Sequence, residues 1–97
     1  MARDIIREEA RLIILKELAG QASYSASESA LQDVLIPFGI FKPREWVRDE
    51  MRWLENMGAA QITVAGSVMV ATVTLKGLDH VEHRLIIEGV KRPSPRE

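Results

Sequence analysis

The sequence predicts a mainly α domain carrying one β-hairpin, an α+β class, and three observations carry that reading. Apolar residues recur at three- and four-residue steps in three successive segments, which close at Gly20, Gly39 and Gly58. Directly after Gly58 the period drops to two on either side of Gly66-Ser67. A chain of 97 residues suits one domain, and 46% hydrophobic with 28% charged residues is the balance of a chain that buries a core.

The first helix starts at Asp4, whose carboxylate suits the free N–H groups of a first turn, and Ile5, Ile6, Ala10, Ile13, Ile14 and Leu18 form its apolar stripe. Its other face sets Arg3, Arg7 and Arg11 beside Asp4 and Glu8, which reads as a solvated face linked by local ion pairs. Gln21 to Ser29 is a serine-rich connector in which Tyr24 sits in a short strand. Ser25 and Glu28 have capping-box spacing there, and either Ser25 or Ser27 caps the next helix. Leu31, Leu35 and Phe38 mark the buried side of helix two, which is expected to end near Gly39.

Pro43 suits the first turn of helix three, where its missing N–H costs nothing, and the helix runs from Arg44 to Met57. With about 100° between successive residues, Val47, Glu50, Met51 and Leu54 share the inward side, with Trp46, Trp53 and Met57 on its flank. Arg44, Arg48 and Arg52 line the opposite side next to Glu45, Asp49 and Glu55. Strands from Ala60 and from Val68 then form the hairpin, and Thr74 caps a last helix running to about Arg84. Helix, helix, helix, hairpin and final helix is the order of a winged helix-turn-helix, with the hairpin as wing. Residues 1–88 are assigned to that domain and residues 89–97 to a flexible, basic, Pro-containing tail.

A resemblance adds to this. Trp53-Leu54-Glu55-Asn56-Met57-Gly58-Ala59-Ala60 resembles the end of the recognition helix and entry to the wing in MarR- and ArsR-like bacterial regulators, and Thr74-Leu75-Lys76-Gly77-Leu78 is similar to their turn after the wing. The whole chain, including Gly89-Val90-Lys91-Arg92-Pro93, resembles a family of small Mu-like prophage proteins. These resemblances imply a winged helix in a phage or prophage setting and a regulatory role. Having no cysteine, the chain departs from metal-sensing ArsR-like proteins.

The chemistry points away from catalysis. There is no G-x-S-x-G elbow, phosphate loop, G-x-G-x-x-G turn or H-E-x-x-H pair, and without cysteine there is no disulfide and no thiolate metal site. His80 and His83 stand at i and i+3, but no third ligand accompanies them, so neither metal nor cofactor is expected. The first eleven residues mix both signs of charge and the apolar run after them is short, so neither a leader nor a membrane span is expected and the location is cytoplasmic.

Two functional expectations follow. The first is a DNA-binding winged helix, a phage or prophage transcriptional regulator working as a homodimer on double-stranded DNA. Arg44, Arg48, Arg52 and Asn56 of helix three meet the duplex, and Lys91 and Arg92 add phosphate attraction together with Arg96. A net charge of -1 and the acidic residues on the same helix face work against it. The alternative is a phage protein-interaction or dimerisation module. From Gly58 through Leu75 there is no charged residue, so wing 59–74, with Val68, Val70 and Thr72 outward and Trp46 and Trp53 nearby, offers a neutral surface and unguarded strand edges.

Overall fold

Four helices and a three-stranded antiparallel sheet make up residues 3–95, the part of the chain that the computed structural model describes. Helix α1, Ile5–Gly20, begins with Asp4 accepting from the Arg7 N–H at 3.1 Å. Its core stripe is Ala10, Leu12, Ile13, Ile14, Leu15 and Leu18. Ile5 and Ile6, expected in that stripe, are exposed, and α1 meets the third helix one turn later through Arg7 and Arg11. The arginine face read as solvated is therefore partly an interior contact.

Strand β1, Ser25–Ser27, starts one residue after Tyr24, which turns the chain with a positive φ of 58°. Ser27 is the cap of helix α2, Glu28–Leu35, accepting from the Ala30 N–H at 3.3 Å. Glu28 does not close a capping box with Ser25, because its carboxylate is buried and bonded elsewhere. Pro37 has no N–H with which to continue the helical ladder, so the chain tightens into a 3-10 turn over Ile36–Phe38. That turn leaves Phe38, expected on the buried face, 57% exposed.

Helix α3, Arg44–Asn56, follows Pro43 and buries Val47, Glu50, Met51 and Leu54, the four residues the periodicity places inward. Strands β2, Ala60–Ala65, and β3, Val68–Val73, pair from Ala60↔Val73 to Ala65↔Val68 around Gly66-Ser67. The sheet order is β1-β3-β2, so β1 covers the second edge of β3, which the sequence reading leaves open. Met69, Ala71 and Val73 point from β3 into the core beneath the helices.

Helix α4, Leu75–Val81, is shorter than expected, and His83 leaves it with a positive φ of 65°. The segment after it meets the domain at several points. Ile87 and Val90 are buried, and the Lys91 N–H donates to the Glu8 carbonyl at 3.1 Å. Arg96 and Glu97 lie outside the described residues.

Two glycines are fixed by close approach. A Cβ at Gly77 would stand 2.4 Å from the Ala59 carbonyl oxygen, and one at Gly89 would stand 2.6 Å from the Trp53 ring. Thr74 completes the first contact by accepting from the Gly77 N–H at 3.2 Å while donating to the Gly58 carbonyl at 2.7 Å. The Thr-x-x-Gly turn thus joins the start of α4 to the exit from α3.

Gly77→Ala is expected to destabilise the domain by about 1–3 kcal/mol through overpacking against backbone, read in a urea titration. Gly20→Ala, with nothing within 4 Å of the added carbon, should be close to neutral in the same experiment.

Candidate functional site

Helix α3 carries the side chains on which the functional expectations turn, and two of its charged residues are committed to the interior. Glu50 is buried and bonds Arg7 and Arg11 of α1, the latter at 2.6 Å. Arg11 also donates to the Gly89 carbonyl at 2.9 Å and stacks over Trp53 with its guanidinium carbon 3.8 Å from the ring centre. Arg7 lies over Trp46 at 4.9 Å. The two tryptophans are half-buried partners of α1 arginines, which leaves little ring face for a base or a second subunit.

On the other flank, Arg48 reaches the buried carboxylate of Glu28 through both Nε and Nη2, the second bond at 2.8 Å. Its Nη2 also donates to the Ser67 carbonyl in the hairpin turn at 2.8 Å, and Glu28 accepts from the Met69 N–H at 3.0 Å. This cluster joins α2, α3 and the hairpin. Hydrogen bonding from Arg48, helped by the Met69 N–H, pushes the Glu28 carboxyl down to about 2 despite its burial. Arg48, expected to reach DNA, is therefore occupied and only 29% exposed along its side chain.

Glu45, Asp49, Arg52 and Asn56 form the outermost line of α3, with Arg44 beside them, and all five are exposed. Among the described residues neither Arg44 nor Arg52 forms an ion pair, so they are the two expected DNA contacts on α3 whose charge is free. Glu55, on the same flank, accepts from the Ile62 N–H at 3.0 Å. Lys91 pairs with Glu9 at 3.4 Å, and Arg92 is exposed. Both border a groove of about 380 Å³ between α1 and the end of α2, floored by Leu12, Ile13, Val34 and Phe38. Lys91 and Arg92 thus border α1 and the end of α2, and Arg44, Arg48 and Arg52 stand on α3.

The hairpin places Val68, Val70 and Thr72 on one side of β3 and Met69, Ala71 and Val73 on the other. Pairing sets Gln61, Thr72 and Ser25 in one row across the sheet and Thr63, Val70 and Ser27 in the next. The Thr72 and Ser25 hydroxyls are 2.6 Å apart. The outward face of the sheet is therefore made of hydroxyl, amide and small aliphatic side chains. Val64 of β2, paired with Met69 and so on the other side of the sheet, is exposed, as are Ile36, Phe38 and Phe41 in the link between α2 and α3.

His80 is buried and both ring nitrogens are used: Nδ1 accepts from the Ile87 N–H at 3.0 Å and Nε2 faces the Lys91 carbonyl at 2.9 Å. Those partners set the tautomer, with the ring proton on Nε2 toward the Lys91 carbonyl. No group of three or more potential metal ligands occurs among the described residues. Nor is any helix there long and apolar enough to cross a membrane.

Over 96 residues the chain is 38% identical to a protein of Escherichia phage Mu described as uncharacterized protein gp26, covering 99% of each. It is also 34% identical over 77 residues to an uncharacterized protein of Haemophilus influenzae strain Rd, covering 78% of this chain and 74% of that protein. No family model matches the chain. No solved structure matches it either.

The Glu28 cluster gives an acid signature. A carboxyl lowered from 4.5 to about 2 on folding contributes stability that is present above pH 4.5 and is lost as the pH falls toward about 2. Glu28→Gln should take up to about one proton out of the uptake on unfolding across that window. Urea titrations of both proteins at stepped pH check it, and an unchanged pH slope would contradict the assignment.

Proposed function

The chain belongs to the family of the phage Mu protein gp26, and from that premise we propose that it is a winged-helix protein-interaction module of a Mu-like phage that docks through the neutral outer face of its sheet. The carrying observation is that face: Gln61, Thr63, Val68, Val70, Thr72, Ser25 and Ser27 stand together on it without a charge. A surface that met DNA would need cations for phosphate oxygens, and this one has none. The winged-helix reading is supported by the element order, with β1 beside β3 and α2 and α3 preceding the hairpin.

The charge on α3 fits the same reading. Its middle arginine is engaged with Glu28, and its outward line mixes Glu45 and Asp49 with Arg52. The link that leads into the helix exposes Phe41 by 72%, where a phosphate-tracking surface would be polar. Protein partners tolerate such neutral and apolar patches, and aromatic anchors among them favour binding.

A second reading rests on Arg44, Arg52 and Asn56, which are exposed and unbonded by side chain among the described residues. In that reading a homodimer contacts double-stranded DNA with these three, and its affinity falls steeply with salt as counterions are released.

The two readings separate in one set of experiments. A photo-crosslinking side chain at Val68 is expected to give one defined adduct with a phage protein in phage-producing cells, and Thr63→Lys is expected to abolish it. Absence of that adduct, together with salt-sensitive amide shifts at Arg44, Arg52 and Asn56 on adding a mixed-sequence duplex, would establish the DNA reading instead. Arg44→Glu with Arg52→Glu is the variant to use there. Arg48→Glu would oppose Glu28 and unfold the cluster.

A further inference from the structure

We propose that Glu55 keeps the open edge of β2 from pairing with the β2 edge of a second copy of this chain. The inference concerns the edge of the sheet and is independent of what docks on its face. The sheet order β1-β3-β2 leaves β2 as an edge strand, and edge strands template strand addition unless something blocks them. Proteins commonly guard such edges with a lysine, a proline or an inward-pointing charge. Strand β2, Ala-Gln-Ile-Thr-Val-Ala, has none of these in its own sequence.

The guard comes from α3. The Val73 N–H donates to the Tyr24 carbonyl, so residues 71 and 73 direct their backbone groups toward β1 and residues 68, 70 and 72 toward β2. Their partners Ala65, Thr63 and Gln61 complete the inner ladder, and Ala60, Ile62 and Val64 turn their N–H groups to the open edge. Ala60 is buried. The Ile62 N–H is taken by the Glu55 carboxylate at 3.0 Å, which leaves Val64, 57% exposed, as the outward position with a free edge among the described residues.

A second copy is the occupant this edge fits. Two identical antiparallel edges close under a two-fold axis, and the pairing centred on Thr63 sets Ile62 of each copy opposite Val64 of the other. Those residues exchange both backbone hydrogen bonds, and the strands carry no charges to repel one another. In the wild type that exchange requires the Ile62 N–H, which Glu55 already holds. Pairing would also bring the two carboxylates against the same edge.

Sedimentation equilibrium of the full chain tests this at matched concentrations. Glu55→Ala is expected to double the mass relative to wild type, in a concentration-dependent manner. Adding Val64→Pro, which removes an outward N–H and leaves the ladder to β3 intact, should return the wild-type mass. A folded Glu55→Ala protein with unchanged mass would overturn the proposal, as would a doubled mass that survives Val64→Pro. Amide exchange in the wild type gives a reading that needs no variant: the Ile62 amide should be slow and the Val64 amide fast. Two equally slow amides would show the edge already covered, two equally fast ones would show that Glu55 does not hold it, and either result would overturn the proposal.

Discussion

The arrangement of the helices depends on two buried carboxylates that arginines reach from opposite sides of α3. Glu50 points from α3 to Arg7 and Arg11 of α1, while Glu28 of α2 receives Arg48 of α3. Residues 48 and 50 lie about 200° apart around the helix, so the two pairs act on different flanks. Rotating α3 by a single residue would break both at once and strand each carboxylate without its cation. Buried ion pairs add little net stability over apolar packing, but losing one partner is costly because the other charge stays buried. Here that penalty specifies the rotation of α3 about its own axis.

The same pairs decide what the surface looks like. Formal counts of 13 basic and 14 acidic residues suggest a mixed, evenly charged exterior. Arg7, Arg11 and Arg48 are withdrawn from it into interior contacts, and Arg3 and Arg84 pair with Glu8 and Asp79. On α3 itself, the cations without an ion pair among the described residues are Arg44 and Arg52, beside the equally exposed Glu45 and Asp49. An arginine every fourth residue along a helix thus looks like a phosphate-tracking stripe in the sequence and is divided by the fold between structure and solvent.

Periodicity shows which side of an element faces in, and that much was legible. The inward positions of α3, including the unusual Glu50, the hairpin with its Gly66-Ser67 turn, the Asp4 cap and the outward alternation of Val68, Val70 and Thr72 all follow from spacing. What spacing does not contain is the partner across the fold. Glu28 looks like a capping-box residue because its role depends on Arg48 and Met69, 20 and 41 residues away. His80 is given no partner by its spacing, because the backbone groups its ring nitrogens meet, at Ile87 and Lys91, lie 7 and 11 residues further along. Phe38 fits the helical stripe until Pro37 converts the last turn to 3-10 geometry, a local signal that was present in the sequence and that outweighs periodicity.

Arg48 also links the hairpin to the helix that precedes it. Its bond to the Ser67 carbonyl holds the turn between β2 and β3, while its bonds to Glu28 hold α2, and Glu28 in turn holds Met69 at the start of β3. A hairpin tied at its tip cannot swing freely as an unanchored wing would, so the neutral face of the sheet and the mixed-charge face of α3 keep a fixed relation. Glu55 adds a second tie at the other strand through Ile62. Both ties use charged side chains of α3 on backbone groups of the hairpin, which lets the hairpin sequence itself remain uncharged. The neutrality of that surface is therefore sustained by the helix next to it, and the two faces are parts of one rigid unit.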